Sequence, residues 1–516
     1  MLHGFKQTYI TIIAYAVMLF SCSKGIEERT DRLPALSPVD TDAQAGTWTP
    51  ILLSGPTEFP VAAPIAVTSP DYRVQINEVK ALQARMTEED RRLVEYWSAG
   101  AVLRWNEIMR ELVALHNLAP VENADGTYPF PDPNNPLAYP LFPFANPPYA
   151  ARAYAYTSAA QYDALVAGYH YKAQYNRPAP YAVDSSLRVL VPKTTLAAYP
   201  AEDGVVMGAA VQMLSLLFPG DQDYIRQKAD EHRRARLLTG ANVRSDLEAG
   251  EALGKAVAGK FVARARTDRA GAAAGNQTTW TQLETDVIAR GEIPWISQDL
   301  PKRPPMLPLF GKVRSLLNDS MTLVAARPGP PPSTSSEQMK KELDEVRQTV
   351  KSLSRDDIRV VHFWADGVAT YTPPGHWNAI AADDFIRENF SEVRWARNMA
   401  LLNIALMDAA IVCWDAKYTY FNPRPSQLDP GIKTSTGLPN FPAYISGHST
   451  FSAAAASLLG HILPARADAY EAMAKEASES RILGGIHYRS DCEVGLQVGA
   501  KVGSFCIQRA KIDGAE

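Results

Sequence analysis

The chain has 516 residues, of which 46% are hydrophobic and 21% are charged, and its formal net charge is −4 at pH 7. This length and apolar content are sufficient to bury a large core, and the lack of a basic excess argues against binding to nucleic acid. The 38 prolines concentrate in connecting segments. Between them lie long segments rich in Ala, Leu, Arg and Glu with little strand-like alternation, so we expect an all-α protein.

The first 22 residues predict an export signal. An apolar stretch from Tyr9 to Phe20 follows Lys6, and the sequence Leu19-Phe20-Ser21-Cys22 has the form of a bacterial lipobox. The stretch is short for a transmembrane span. We therefore expect residues 1–22 to be a lipoprotein signal peptide, with a membrane-anchoring lipid on Cys22 of an exported protein that faces the periplasm or the cell surface. An uncleaved anchor or a plain secretory signal is the alternative.

The connecting segments divide the rest of the chain. Residues 23–85 begin polar and Pro-rich, which is typical of a tether, and we assign them to a tether and N-terminal extension. A second Pro-rich stretch, residues 128–149, contains many aromatics and predicts an ordered loop. Residues 268–336 form a Pro-rich connection, after which Glu337 begins a helix. The thiols lack metal-ligand spacing and are assigned to helix packing: Cys413, Cys492 and Cys506.

A degenerate internal repeat relates residues 86–267 to residues 337–516. At a constant offset of 245 residues, Lys417 falls on Lys172, Arg481 on Arg236 and Asp491 on Asp246. Matches at one offset across separated helices predict two related halves, each resembling a four-helix bundle. Only the second half keeps a hydroxyl and both imidazoles, because the residues opposite Ser446, Gly447, His448 and His487 are Ala201, Glu202, Asp203 and Asn242. We expect the first half to be non-catalytic.

Three clusters within the second half carry the candidate chemistry. They are Lys417 with Arg424-Pro425, then Ser446-Gly447-His448, and then Arg481, His487 and Asp491. Arginine offers a planar fork of donors and lysine a compact charge, and a Ser-Gly turn before a helix brings backbone amides close to an anion. Three cations, a hydroxyl, two imidazoles and a carboxylate in this combination predict a pocket for a tetrahedral oxyanion.

In order and spacing these clusters resemble the signature K-x6-RP, PSGH and SR-x5-H-x3-D. The vanadium-dependent haloperoxidases and the type 2 phosphatidic acid phosphatases (PAP2) share this signature. Ile445 replaces the proline that usually precedes Ser446, and no functional side chain is lost. The segments around Asp366 and Thr372–Asn378 resemble the soluble haloperoxidases, as do Trp414 before Lys417 and Phe441 before Ser446.

The resemblance implies a role for each residue. His487 would bond the oxyanion centre, either as the ligand to the vanadium of vanadate or as the nucleophile of a phosphatase, and Asp491 would fix its tautomer. His448 would be the acid–base residue. The residues that bind the oxygens would be Lys417, Arg424, Ser446, Gly447 and Arg481. Three residues would lie at the halide site or directly behind the oxygen-binding residues: Trp414, Phe441 and Asp366. Of these, Asp366 would orient Arg481.

The leading interpretation is a vanadium-dependent haloperoxidase-like enzyme that binds vanadate and oxidises a halide with hydrogen peroxide. The alternative is an acid-phosphatase-type phosphomonoesterase with a phosphohistidine intermediate, since phosphate fits the same pocket. Integral-membrane phosphatases fit less well because they need several apolar spans of about 20 residues. A third interpretation is a scaffold that binds an anion without turnover.

The other imidazoles are predicted to be surface or capping residues: His116, His232, His362 and His461. The sequence is compatible with a homodimer but does not demonstrate one.

Overall fold

The computed structural model describes residues 33–118, 121–128 and 146–516. These ranges fold into α-helices and short 3-10 turns, and no β-strand occurs within them. The all-α prediction is confirmed. The prediction of a lipid on Cys22 lies outside the described residues, as does most of the Pro-rich stretch 128–149.

The helices of the first part of the chain are, in order, α1 Pro70–Ala84, α2 Glu88–Ser98, α3 Ala101–His116, α4 Pro147–Tyr175, α5 Pro180–Val183, α6 Glu202–Leu217, α7 Gln222–Leu238, α8 Arg244–Ala265 and α9 Gln277–Ala289. Those of the second part are α10 Ser320–Val324, α11 Glu337–Lys351, α12 Arg355–Phe363, α13 Thr372–Glu388, α14 Glu392–Tyr420, α15 Pro425–Leu428, α16 Gly447–Ile462, α17 Ala467–Leu483 and α18 Arg489–Ala510. The helix predicted to begin at Glu337 is α11.

Five helices recur with equal lengths at the offset of 245 residues found in the sequence. The pairs are α4 and α14, α5 and α15, α6 and α16, α7 and α17, and α8 and α18. In the first half α6 packs on α4, α7 and α8, and in the second half α16 packs on α14, α17 and α18. The description of the chain as two related halves that each resemble a four-helix bundle stays a prediction, whereas the matched helix bounds and packing are features of the structure.

The two long helices α4 and α14 pack against each other at the centre of the molecule. Asn403 of α14 donates from Nδ2 to Ser158 Oγ of α4 at 2.9 Å, and these positions are 245 residues apart. When two copies of a unit pack about a two-fold axis, residues at equivalent positions contact each other in this way. Asn378 of α13 extends the buried network, because its Nδ2 donates to Asn403 Oδ1 at 2.6 Å and its Oδ1 accepts from Asn106 of α3 at 2.8 Å.

Local sequence explains where the long helices begin and end. Ser391 caps α14 by accepting from the Arg394 amide, and Asn146 caps α4 by accepting from the Tyr149 amide. Both helices end on a residue in the left-handed conformation, at Phe421 (φ 52°) in α14 and at Asn176 (φ 44°) in α4. The chain therefore turns sharply after each helix, and in the second half this turn leads to Arg424.

The predicted tether differs from the structure, because the segment from residue 33 onward packs on the helical body. Asp163 of α4, which is fully buried, accepts from three successive amides, those of Ile51, Leu52 and Leu53, at 2.5, 2.7 and 3.0 Å. Asp42 is also fully buried and forms an ion pair with Arg394. A polar, Pro-rich composition was interpreted as a solvated tether, but here buried carboxylates satisfy the backbone donors of the segment.

By length and apolar composition, one helix among the described residues is long enough to cross a membrane. It covers Glu392–Leu428, and all of its apolar window is buried inside the protein. The bent pair Glu202–Leu217 and Pro219–Leu238 passes the same test only as a unit. The three cysteines assigned to helix packing, Cys413, Cys492 and Cys506, are buried and free, as predicted.

The Asn403 network predicts a measurable share of stability. Asn403→Ala should lower the free energy of unfolding by roughly 2–3 kcal/mol, because Ser158 and Asn378 would lose buried hydrogen bonds and a small cavity would form. Urea denaturation followed by circular dichroism measures this change. Gln282→Ala, which removes an exposed amide from α9, is the control and should leave the midpoint nearly unchanged. Equal stability of Asn403→Ala and the wild type would show that the network does not hold the halves together.

Candidate functional site

The C-terminal end of α14, the start of α16, the end of α17 and the start of α18 converge on one buried cluster of polar side chains. The structure brings the three sequence clusters together here. Five of the predicted ionisable residues are at most 2% exposed: Lys417, Arg424, Arg481, His487 and Asp491. Charged groups are rarely buried to this extent without partners, so their hydrogen bonds define the site.

Lys417 and Arg424 are fixed by carbonyls of the loop that precedes α16. Lys417 Nζ donates to the carbonyl oxygens of Pro442 and Ala443 at 2.8 and 2.9 Å. Arg424 donates from Nε and Nη2 to Phe441 O at 3.0 and 2.9 Å, and from Nη1 to Ile486 O at 2.8 Å. Backbone dipoles therefore hold both cations in place without neutralising their charge.

His487 is held between a cation and a carboxylate. Its Nε2 lies 3.0 Å from Arg424 Nη1, and its Nδ1 lies 2.9 Å from Asp491 Oδ2. A guanidinium can only donate, so Nε2 must be the acceptor and Nδ1 must carry the proton that is donated to Asp491. Asp491 Oδ2 also accepts from the Tyr488 amide at 3.1 Å. This tautomer keeps a lone pair on Nε2, next to the cations.

Ser446 and Gly447 form the N-terminus of α16. Ser446 Oγ accepts from the Ser449 amide at 3.3 Å, and the Ser446 amide donates to Asp491 O at 2.9 Å, which ties the start of α16 to α18. A Cβ added at Gly447 would meet no atom closer than 3.8 Å. Protein neighbours therefore do not require a glycine here, whereas an anion that approaches the amides at this helix N-terminus would.

The peptide bond between Tyr444 and Ile445, where the signature has its proline, is cis. The bond at the matched position of the first half, between Tyr199 and Pro200, is also cis.

Arg481 and Asp366 both lie near His448 and act on it through their charges. Arg481 donates from Nε to Ser480 Oγ at 2.9 Å and from Nη2 to Val361 O at 3.3 Å. Asp366 Oδ2 is 3.8 Å from His448 Nε2, which makes no hydrogen bond within the described residues. Burial lowers the pKa of Arg481 and the charge of Asp366 opposes this effect, and the expectation that Asp366 orients Arg481 stays a prediction.

His376 was not assigned to the site by the sequence analysis, although the segment that contains it was noted. Its Nδ1 lies 3.0 and 3.2 Å from the two oxygens of Asp366, and its ring stacks on Trp364 at 4.7 Å between centroids. The signal was present in the pattern Thr372–Asn378, but only the fold places His376 behind Asp366. A chain of His448, Asp366 and His376 therefore adjoins the cationic cluster.

Trp414 and Phe441 form an aromatic wall beside the cations. Their ring centroids are 5.0 Å apart. Lys417 Nζ lies 4.9 Å and Arg424 Cζ 5.0 Å from the centroid of Phe441, so both cations lie within cation–π distance. Trp414 Nε1 donates at 3.1 Å to Met306 O, in the connection between the halves. The structure thus brings both predicted aromatics to the cluster.

Burial controls the protonation of the cluster. It lowers the pKa of Lys417, and it lowers the pKa values of Arg424 and Arg481 to about 10. Burial, followed by the charges of Arg424, Lys417 and Arg481, lowers the pKa of His487 well below 6.5. Burial, Arg481 and His376 lower the pKa of His448 in the same direction. Both imidazoles are therefore neutral at neutral pH, and the cluster carries an excess of positive charge.

These features fit an oxyanion. Three cations require counter-charge, the first amides of α16 lie at a glycine with space around it, and the buried His448 Nε2 has no hydrogen-bond partner among the described residues. No group of three or more His, Cys, Asp or Glu side chains in the same ranges is arranged to hold a metal ion. The donor set therefore fits a tetrahedral oxyanion such as phosphate or vanadate.

The prediction for the other histidines was wrong for His232. It is 1% exposed, its ring stacks on Trp97 at 4.1 Å, and its Nε2 lies 3.2 Å from Asp203 Oδ1. The sequence around His232 is rich in charged residues and indicated a surface helix. The imidazole instead faces the interior because Asp203 and Trp105 Nε1 supply partners there.

Known proteins resemble this chain in sequence family and in fold. The family model described as the PAP2 superfamily matches residues 398–512. The crystal structure of the first bacterial vanadium-dependent iodoperoxidase is similar, with a TM-score of 0.58 and 22% identity over 78% of this chain and 95% of that chain. A comparison with curated proteins finds no match.

Two crystal structures of bacterial vanadium-dependent chloroperoxidase are also similar. The apo-type structure has a TM-score of 0.48 and 12% identity over 70% of this chain and 94% of that chain. The holo-type structure has a TM-score of 0.49 and 11% identity over 71% of this chain and 92% of that chain. The segment that contains the site, residues 398–512, thus matches the PAP2 superfamily, and the all-helical fold is similar to that of a bacterial vanadium-dependent iodoperoxidase.

Proposed function

We propose that the protein is a vanadium-dependent haloperoxidase-like enzyme that oxidises a halide with hydrogen peroxide. The observation that carries this proposal is the chain Arg424, His487 and Asp491, which presents an unprotonated Nε2 beside buried cations. An imidazole in this state is a ligand for an oxyanion centre. The similarity in fold to a bacterial vanadium-dependent iodoperoxidase supports the proposal.

Each residue of the cluster has a task in this proposal. Vanadate would be held by His487 Nε2 and by the oxygen-binding groups Lys417, Arg424, Ser446, the Gly447 amide and Arg481. When bound, it supplies the centre at which peroxide oxygen is activated for transfer to the halide. Asp491 keeps His487 in the required tautomer, and Lys417 and Arg424 stabilise negative charge on oxygen from positions fixed by backbone carbonyls.

His448 would move the protons. Its pKa is lowered by burial and by Arg481, so the neutral ring can accept a proton from hydrogen peroxide and later return it to a leaving oxygen. Asp366 lies 3.8 Å away and can stabilise the imidazolium that forms in between. Trp414 and Phe441 would form an apolar boundary of the halide site, where a weakly hydrated anion tolerates loss of water next to cations.

A phosphomonoesterase is the second candidate, and the PAP2 match over residues 398–512 favours it. In this reaction His487 Nε2 would attack phosphorus while the bond to the leaving oxygen breaks and His448 protonates that oxygen. Water, deprotonated by His448, would then cleave the phosphohistidine and release phosphate. The same oxygen-binding residues serve both reactions, so the reactants offered in an assay decide between them.

Export and lipid anchoring through Cys22 are part of the proposal. Their support is the apolar stretch and lipobox-like sequence at residues 1–22. Labelling of the intact protein with a fatty acid, lost in Cys22→Ala, tests the anchor.

A paired assay of the purified protein tests the two candidates. With vanadate, peroxide and bromide we expect halogenation of a phenolic indicator, and in His487→Ala we expect its loss, because the ligand to the oxyanion centre is removed. Hydrolysis of p-nitrophenyl phosphate without vanadate, inhibited when vanadate is added, would instead establish the phosphatase. His461→Ala removes a partly exposed imidazole from the end of α16 and should leave either activity unchanged. No turnover in either assay would leave only anion binding.

Asp366 should set the pH dependence of whichever reaction occurs. A carboxylate 3.8 Å from His448 Nε2 favours the charged imidazole, so Asp366→Asn should lower the pKa of His448 further. The inflection of kcat/KM that belongs to His448 should therefore move to lower pH by about one pH unit, with kcat reduced by about 10-fold. The measurement is the pH profile of both variants. Asp383→Asn, an exposed carboxylate on α13, is the control, and an unmoved inflection in Asp366→Asn would remove Asp366 from the proton path.

A further inference from the structure

The first half repeats the backbone hydrogen bonds that build the site in the second half. Lys172 Nζ donates to Ala197 O at 2.6 Å, and its counterpart Lys417 donates to Pro442 O, 245 residues after Ala197. The same offset relates two loop bonds, Ala198 N to Arg177 O at 2.9 Å and Ala443 N to Asn422 O at 3.0 Å. The lysine and the loop that it anchors are thus present in both halves.

Equivalent hydrogen bonds also hold the start of α6 in the first half and the start of α16 in the second half. The Ala201 amide donates to Asp246 O and the Ser446 amide to Asp491 O, both at 2.9 Å. The Asp246 carboxylate accepts from the Val243 amide at 2.8 Å, as that of Asp491 accepts from the Tyr488 amide at 3.1 Å. The scaffold of an oxyanion pocket is therefore retained in the first half.

The side chains that face this scaffold are different. Glu202 replaces the glycine of the second-half pocket, Asp203 replaces His448, Asn242 replaces His487, and Ala179 replaces Arg424. Two of the three cations remain, as Lys172 and Arg236. At these positions the first half gains two carboxylates at the N-terminus of α6 and loses one cation and both imidazoles, while Arg177, opposite Asn422, supplies a buried cation that pairs with Asp246.

The two carboxylates pair with the two retained cations. Glu202 Oε2 lies 2.8 Å from Lys172 Nζ, and Asp203 Oδ2 lies 3.1 Å from Arg236 Nε. Lys172 is 4% and Asp203 7% exposed, and their partners Glu202 and Arg236 are partly buried. Burial raises the pKa of Asp203, but Arg236 and His232 outweigh it and lower that pKa to about 2. In the second half no Glu or Asp side chain pairs with Lys417 or Arg481 among the described residues.

We propose that Glu202 and Asp203 act as internal counter-anions, so that the first half is an oxyanion pocket closed by its own carboxylates. A carboxylate presents two oxygens to a cation and to helix amides much as an oxyanion does, and two of them satisfy Lys172 and Arg236 without a ligand. The intact protein would therefore hold one exchangeable oxyanion, in the second half. Removing both carboxylates would create a second site for a tetrahedral oxyanion.

The structure has room for that ligand. A cavity of about 240 Å³ borders Lys172, Glu202, Asp203, Arg236 and Asn242. Acidic residues in the first turn of a helix also stabilise the helix dipole, which is the simpler explanation of Glu202 and Asp203. That explanation predicts a loss of stability on neutralisation but no gain of anion binding, so the two can be separated.

The test counts bound phosphate in the full-length protein by equilibrium dialysis with labelled inorganic phosphate. The variant Glu202→Gly/Asp203→Asn should bind one more phosphate per chain than the wild type, and its melting temperature should rise with phosphate concentration more steeply. Adding Lys172→Met should abolish the extra site. The measure is the difference from the wild type, so the result does not depend on whether the second-half pocket binds phosphate.

Two further variants make each outcome decisive. Asp223→Asn/Asp230→Asn removes two exposed carboxylates from the same half and should gain no site. Should the double variant fail to fold without phosphate, refolding on addition of phosphate supports the proposal, and Glu202→Gln alone, which keeps the Asp203 pairs, provides a milder test. A folded variant that binds no more phosphate than the wild type, or a control that gains as much, would overturn it.

Discussion

Three buried cations surround His487, and burial costs each of them its solvation free energy. Hydrogen bonds from each cation to neighbouring protein groups have to offset this cost. Lys417, Arg424 and Arg481 obtain this compensation mainly from backbone carbonyls, which stabilise a cation without removing its charge. Much of the architecture follows from this requirement. The loop before α16 has to pass close to the end of α14, and the start of α18 has to lie beside it, since these segments carry the acceptors.

Polarised carbonyls also explain how the site stays both rigid and reactive. A carboxylate paired with each arginine would hold it as firmly but would neutralise the field that an oxyanion needs. The one carboxylate bonded to the reactive imidazole, Asp491, lies behind the ring and acts through Nδ1. The first half shows the other solution, in which Glu202 and Asp203 pair directly with Lys172 and Arg236. One scaffold thus supports a pocket that attracts an anion and a matched one whose charges are already balanced.

The reactive groups can be located from the sequence because they are chemically unusual and regularly spaced. The end of α14, the cap at Ser446 and the turn to His487 could be derived from helix periodicity, capping and glycine placement. Contacts between distant segments could not. The pairing of Asp366 with His376 depends on a loop after α12 that folds back on α13, and no local pattern encodes the resulting 3.0 Å distance. The packing of residues 33–69 escaped prediction for the same reason, since its partner, Asp163, is a lone acid within an apolar helix.

The choice between the haloperoxidase and the phosphatase reaction depends on His448 more than on the oxygen-binding residues. Phosphate and vanadate are both tetrahedral oxyanions and make equal demands on Lys417, Arg424 and Arg481. A phosphatase needs a protonated imidazole at the moment the leaving oxygen departs, whereas reaction with hydrogen peroxide begins with transfer of a proton to a neutral imidazole. Burial, Arg481 and His376 all lower the pKa of His448, and a hydrogen bond to the backbone of Trp364 opposes them. The balance leaves His448 neutral before an anion binds, which is the state that a peroxidase uses first, and this is the physical reason to rank the haloperoxidase above the phosphatase.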